Sequence, residues 1–191
     1  MHKTRLEAFS DGVLAIIITI MVLDLRAPHG ADWGDLRPLL PSFLCYALSF
    51  LMLGIYWNNH HHLFQAVQKV NGLILWANMH LLLWLSLIPF VTVWMAENHF
   101  APRPVALYGG VLWMAGMAYY LLVRALLAHH GAESTLARAI GSDFKGKVSL
   151  VIYTAAIALA FGSPLLAMLL FVAVALMWLV PDLRIEKTLE R

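Results

Sequence analysis

The chain has 191 residues, 61% of them apolar and 13% charged, with a mean hydropathy of +0.75. Soluble domains carry about 45–50% apolar and about 25% charged residues, so this composition excludes an ordinary soluble domain and a disordered chain alike. Thirteen Lys and Arg against eleven Asp and Glu leave a formal charge of +2, too small for electrostatic nucleic-acid binding.

A helix needs roughly 20 mostly apolar residues to cross a bilayer. Six segments of the chain are candidates, which predicts an all-α polytopic membrane protein with one six-helix domain over residues 1–191. The first runs from Ala8 to Leu25 and carries Ser10, Asp11, Thr19 and Asp24. Asp11 interrupts it where a secretory leader would be plainly apolar, so it is read as a span. The second runs from Leu39 to Trp57, with Pro41 in its first turn, where proline is tolerated. Cys45 lies within it and reads as a small apolar filler; a lone cysteine allows no internal disulfide and no cysteine-based metal site. The third, Leu73 to Met95, holds Asn78, His80, Ser86 and Pro89, the last expected to kink it. The fourth runs from Val105 to Leu127. The fifth, Val148 to Phe161, and the sixth, Leu165 to Val180, are short. Gly162-Ser163-Pro164 between them is a strong turn signal, so they read as a tight helical hairpin.

Orientation follows from the basic residues. With six spans, ten of the thirteen Lys and Arg fall on the side that holds both termini, and only Arg26, Arg37 and Arg103 fall on the other. The positive-inside rule then puts both termini in the cytoplasm of a cell-membrane protein. Trp33, Trp57, Trp94 and Trp178 lie near the expected interfaces, as belt residues do. The connection from Ala128 to Gly146 is polar and carries no ligand-binding signature.

His60, His61 and His62 invite a metal reading. Consecutive helical residues point about 100° apart, so three in a row do not converge on one ion, and no carboxylate lies nearby. His80 reads as the partner in an interhelical hydrogen bond. Nucleophile elbows, phosphate loops and His-box spacings are missing from the sequence, so no catalytic residue or cofactor is assigned.

Ionisable groups within a span are costly and are functional candidates by default. Asp11 sits about one turn inside the first segment, with Arg5 and the histidines of the second and third segments as available partners. Offsets of four, three and four put Gly12, Ile16, Thr19 and Leu23 on one stripe, flanked by Ile20.

Arg5-x-x-x-Phe9-Ser10-Asp11-Gly12, followed by an Ile-rich run with Thr19 and then Leu23-Asp24-Leu25, resembles the first-helix signature of the transmembrane protein 175 family. The match is tight over the first helix. It extends more loosely through Trp57-Asn58-Asn59-His60-His61 and through Asn78 to Phe90. These are potassium channels of endosomes and lysosomes, with prokaryotic relatives. Animal members carry two six-span repeats, whereas this chain carries one, as the prokaryotic members do.

The resemblance implies a homotetramer in the lipid bilayer, with a pore lined by the first helix of each subunit and monovalent cations, K+ above all, as the permeant species. By motif register Ile16 lines the narrowest point, Thr19 and Leu23 form the next layers, and Ile20 a second apolar layer. Arg5, Phe9, Ser10, Asp11 and Gly12 organise the cytoplasmic end. His60 or His61 is expected to pack against that motif and to make gating respond to pH. The residues agree in kind: no Thr-Val-Gly-Tyr-Gly filter is present, and Tyr108-Gly109-Gly110 reads as a helix-packing glycine pair. Selection would arise at an apolar neck. The alternative is a secondary transporter or proton-leak pathway with a polar site around Asp11 and the histidines.

Overall fold

The computed structural model describes residues 3–67, 69–131, 134, 137 and 143–179. His2, Arg138, Val180, Asp182, Arg184, Lys187, Arg191 and the middle of the connection after the fourth segment lie outside them.

Seven α-helices form among the described residues: α1 (Thr4–Leu23), α2 (Leu40–Gln65), α3 (Gly72–Ser86), α4 (Ile88–Glu97), α5 (Pro102–His130), α6 (Phe144–Leu159) and α7 (Pro164–Leu179). A 3-10 segment, Trp33–Leu39, leads into α2. Local chemistry fixes several of the ends. The side chain of Asn71 accepts from the Ile74 amide at 3.0 Å and starts α3. Prolines 102 and 164 open α5 and α7, where a missing N–H costs nothing. Gly131, at φ +86°, closes α5 with its amide on the Leu127 carbonyl.

The third predicted segment is two helices, α3 and α4, separated at Leu87. The cause is Pro89, which has no N–H for the Leu85 carbonyl and whose ring crowds that oxygen. The second predicted segment ends too early: α2 continues eight residues beyond Trp57 to Gln65. No Gly or Pro stands between Trp57 and Gln65 to stop it, so the three histidines lie inside its last two turns. Gly162-Ser163-Pro164 makes the expected turn, with the Ser163 amide on the Leu159 carbonyl at 2.7 Å.

Four stretches, Thr4–Leu23, Trp33–Gln65, Gly72–Glu97 and Pro102–His130, are long and apolar enough to cross a membrane. α6 and α7 have 16 residues each, about 24 Å of helix. α5 is the central packing element, lying against α3, α4, α6 and α7, while α1 packs on α2, α3 and α4. Gly109 lets α7 approach α5: a Cβ there would stand 2.8 Å from Phe171 Cζ. Gly110 faces open space, so only one residue of the predicted glycine pair serves packing.

A polar cluster of Ser49, Thr92 and Tyr108 ties α2, α4 and α5 together. Thr92 donates to the Ile88 carbonyl at 2.7 Å, just below the α3–α4 break. Its oxygen lies 2.7 Å from Ser49 Oγ, and Ser49 in turn lies 3.1 Å from the Tyr108 hydroxyl. With the Thr92 hydrogen committed to the backbone, Ser49 donates to Thr92 and Tyr108 donates to Ser49.

Candidate pore helix and its anchoring network

α1 has two unlike faces. Leu6, Ser10, Leu14, Ile17 and Met21 are buried against the rest of the bundle. On the opposite side Phe9 is 52% exposed, Ile16 59%, Ile20 46% and Leu23 80%, against 2% for Leu14 and Met21. Gly12 and Thr19 share the open side. The helix thus presents an apolar stripe that its own chain leaves uncovered. Three of its members are isoleucine or leucine, so solvent water is a poor environment for it.

The Thr19 hydroxyl lies 2.9 Å from the Ile16 carbonyl and 3.1 Å from that of Ala15. Its hydrogen is spent on the helix backbone. What it offers to the open side is therefore oxygen lone pairs, the acceptors a cation needs.

The buried face is held by a chain of hydrogen bonds through three helices. Ser10 Oγ donates to the Leu6 carbonyl at 2.9 Å. Asn78 Nδ2, on α3, donates to Ser10 Oγ at 2.9 Å. Asn78 Oδ1 lies 2.8 Å from His60 Nε2, on α2. Since an amide oxygen only accepts, His60 is the donor and carries its proton on Nε2. Ser10, Asn78 and His60 are 0%, 2% and 3% exposed. The His60 ring also packs on Phe64, centroids 4.5 Å apart.

Asp11 points to a different neighbour. Its Oδ1 accepts from the Trp57 indole N–H at 3.0 Å, and the Trp57 ring stacks on His61 with centroids 6.0 Å apart and planes 19° apart. Gln65 Nε2 completes the row at 2.9 Å from His61 Nε2. Lys3 closes the end of the helix pair: its ammonium donates to the Phe64 carbonyl and lies 3.7 Å from Glu7.

Several sequence expectations are thereby refined. Among the described residues Asp11 is held by Trp57 rather than by Arg5, and Arg5 is exposed on the same side of α1 as Phe9 and Ile16. His60 and His61 both reach the motif through one intermediary, Asn78 and Trp57 respectively. His80 accepts from Trp84 of its own helix at 2.9 Å rather than bonding between helices, because residues four apart are neighbours on one face. Trp57 was the residue missed as a partner. Its signal was an indole N–H at the edge of an apolar segment, a donor with few acceptors other than Asp11 within reach.

Residues 5–89 match the family model described as the endosomal/lysosomal potassium channel TMEM175. The chain is 56% identical over 190 residues to a protein named as a potassium channel in Chryseobacterium sp. (strain P1-3), covering 100% of this chain and 99% of that one. It is 37% identical over 81 residues to the human endosomal/lysosomal proton channel TMEM175, covering 36% of this chain and 16% of that one. In three dimensions it is similar to the crystal structure of a lysosomal potassium-selective channel TMEM175 homolog from Chamaesiphon minutus, with a TM-score of 0.81, 28% identity, and 94% and 97% of the two chains covered.

Proposed function

The chain belongs to the TMEM175 family, and on that premise we propose that it is a passive, potassium-preferring channel assembled as a homotetramer around the exposed stripe of α1. The observation that supports this most directly is the asymmetry of that helix. One face is fixed by the Ser10–Asn78–His60 chain, while Ile16, Ile20 and Leu23 stand open. One stripe from one helix does not enclose a pore. Identical stripes close a ring only under cyclic symmetry.

In such a ring Ile16 from each subunit makes an apolar neck. K+ gives up part of its hydration shell more cheaply than Na+, so a neck that forces partial dehydration favours K+ and gates by dewetting. Thr19 supplies hydroxyl oxygens one turn away as partial replacement for lost water. With six crossings, the α6–α7 hairpin included, both termini fall on one side of the cell membrane, and the excess of Lys and Arg on that side assigns it to the cytoplasm. Arg5, Phe9, Ser10, Asp11 and Gly12 hold the cytoplasmic end of the pore helix, with His60 and His61 behind it.

The test is flux through purified protein in liposomes. Rapid K+ flux exceeding Na+ flux, persisting with no coupling gradient, is expected. Flux that requires a second ion gradient would replace the channel reading with a transporter. A second reading, proton passage, is supported by the proton-channel name of the human relative. A pH-sensitive dye in the same liposomes separates the two: acidification with K+ absent supports proton passage.

A further inference from the structure

A cavity of about 460 Å³ opens at the end of the bundle where α1 stops, α2 starts and α4 stops. This size matches pockets that hold small organic ligands. Its walls are apolar, with Met21, Leu25, Leu39 and Phe43 prominent. Three charged side chains also line it: Asp24 just past α1, Arg26 in the following loop, and Glu97 at the end of α4. All three are exposed. Among the described residues no side-chain hydrogen bond or ion pair joins any of them to a partner.

This is an amphipathic cleft with both signs of charge at its rim. Its position bears on the occupant. It lies at the ends of three apolar helices, beside the 3-10 segment whose Trp33 is 89% exposed, as at a membrane boundary. Leu36, Leu40, Phe43 and Leu44 are each about half exposed along the adjoining stretch. They continue the apolar wall out of the cleft.

We propose that this cleft is a binding site for a glycerophospholipid with a primary-amine head group. The ammonium lies between the Asp24 and Glu97 carboxylates, the phosphate faces the Arg26 guanidinium, and one acyl chain leaves along Leu40 and Phe43. The charge balance selects the lipid class. An anionic head group would meet two carboxylates against one guanidinium. A choline head group has no N–H to donate to either carboxylate. The ethanolamine head group gives each of these charges an opposite partner, with its ammonium shared by the two carboxylates and its phosphate on Arg26. A zwitterion spanning α1, α2 and α4 would brace the end of the pore helix opposite the Ser10 network.

Native mass spectrometry of the detergent-purified full chain with equimolar dioleoyl phosphatidylethanolamine, phosphatidylcholine and phosphatidylglycerol tests the site. The ethanolamine lipid should be retained about fivefold over the other two, in keeping with partly exposed ion pairs. Asp24→Asn with Glu97→Gln should abolish that preference, and Arg26→Gln should lower retention of all three lipids. Glu7→Gln, which removes a partly buried carboxylate at the other end of α1, should leave the preference for the ethanolamine lipid unchanged. Unchanged gel-filtration profiles establish that the variants fold. Equal retention of the three lipids, a preference that survives loss of both carboxylates, or an equal loss in Glu7→Gln would each overturn the assignment. The readout is independent of ion flux, so the lipid site and the channel reading fail separately.

Discussion

Replacing Asn78 with leucine removes the bridge between α1 and α2 while keeping the same branched heavy-atom skeleton. Two hydrogen bonds go, those to Ser10 and His60, each under 3.0 Å. Side-chain hydrogen bonds inside membrane proteins average about 0.6 kcal/mol, so the two account for about 1.2 kcal/mol. His60 is 3% exposed. Its Nε2 proton is then left without an acceptor, at about 1–3 kcal/mol. The expected loss is roughly 2–4 kcal/mol. Reversible unfolding in mixed micelles with increasing denaturing detergent measures it. The companion variant His60→Leu strands the Asn78 oxygen in the same way. In the double variant both orphans disappear together, so the combined loss should fall short of the sum by about 1–2 kcal/mol. Potassium-over-sodium preference should not move in the protein that folds, because Ser10 and Asn78 lie on the side of α1 away from the open stripe. A single-variant loss under about 0.5 kcal/mol, or strict additivity, would refute the bridge.

Ile16→Asn should weaken discrimination between K+ and Na+; an unchanged reversal potential under bi-ionic conditions would remove Ile16 from the neck. Asp11→Ala should lower the yield of assembled protein more than it alters ion choice, and Trp57→Phe, which deletes the indole donor and keeps one aromatic ring beside His61, should reproduce part of that loss in gel filtration. Gly109→Ala should cost about 1–3 kcal/mol by driving a methyl into Phe171, whereas Gly110→Ala, with nothing within 4 Å of its Cβ, should be tolerated. At least one of His60→Ala and His61→Ala, recorded across about pH 5 to pH 8, should flatten the response of channel activity to pH. An unaltered response in both would dissociate the histidines from gating.

The helices were legible because lipid demands long apolar runs, and the breaks were legible where Pro or Gly imposed them. The Gly162-Ser163-Pro164 turn and the kink near Pro89 fall where the residues require. The end of α2 was not legible. Asn58, Asn59 and the three histidines look like a segment leaving the membrane, yet nothing in them prevents helix, and the hydrogen bond from His60 to Asn78 offsets the cost of burying a polar ring beside Phe64. The open stripe of α1 followed from periodicity once the motif set its phase. The partners of the motif did not follow, because they depend on which neighbouring helix faces which side. Trp57 for Asp11 is a contact across 46 positions, and Asn78 for Ser10 one across 68. No local pattern encodes either.

Ser10, Asp11 and Gly12 are adjacent letters with three separate destinations: α3, α2 and the unoccupied flank. The helical screw turns about 100° per residue, so neighbouring positions fan out like spokes. Inserting one residue ahead of this trio would swing every spoke by that angle. Serine would swing away from Asn78, aspartate would swing away from the indole, and the isoleucines further along would swing out of alignment. Point substitutions here remove one function each, whereas a one-residue insertion misdirects all three together.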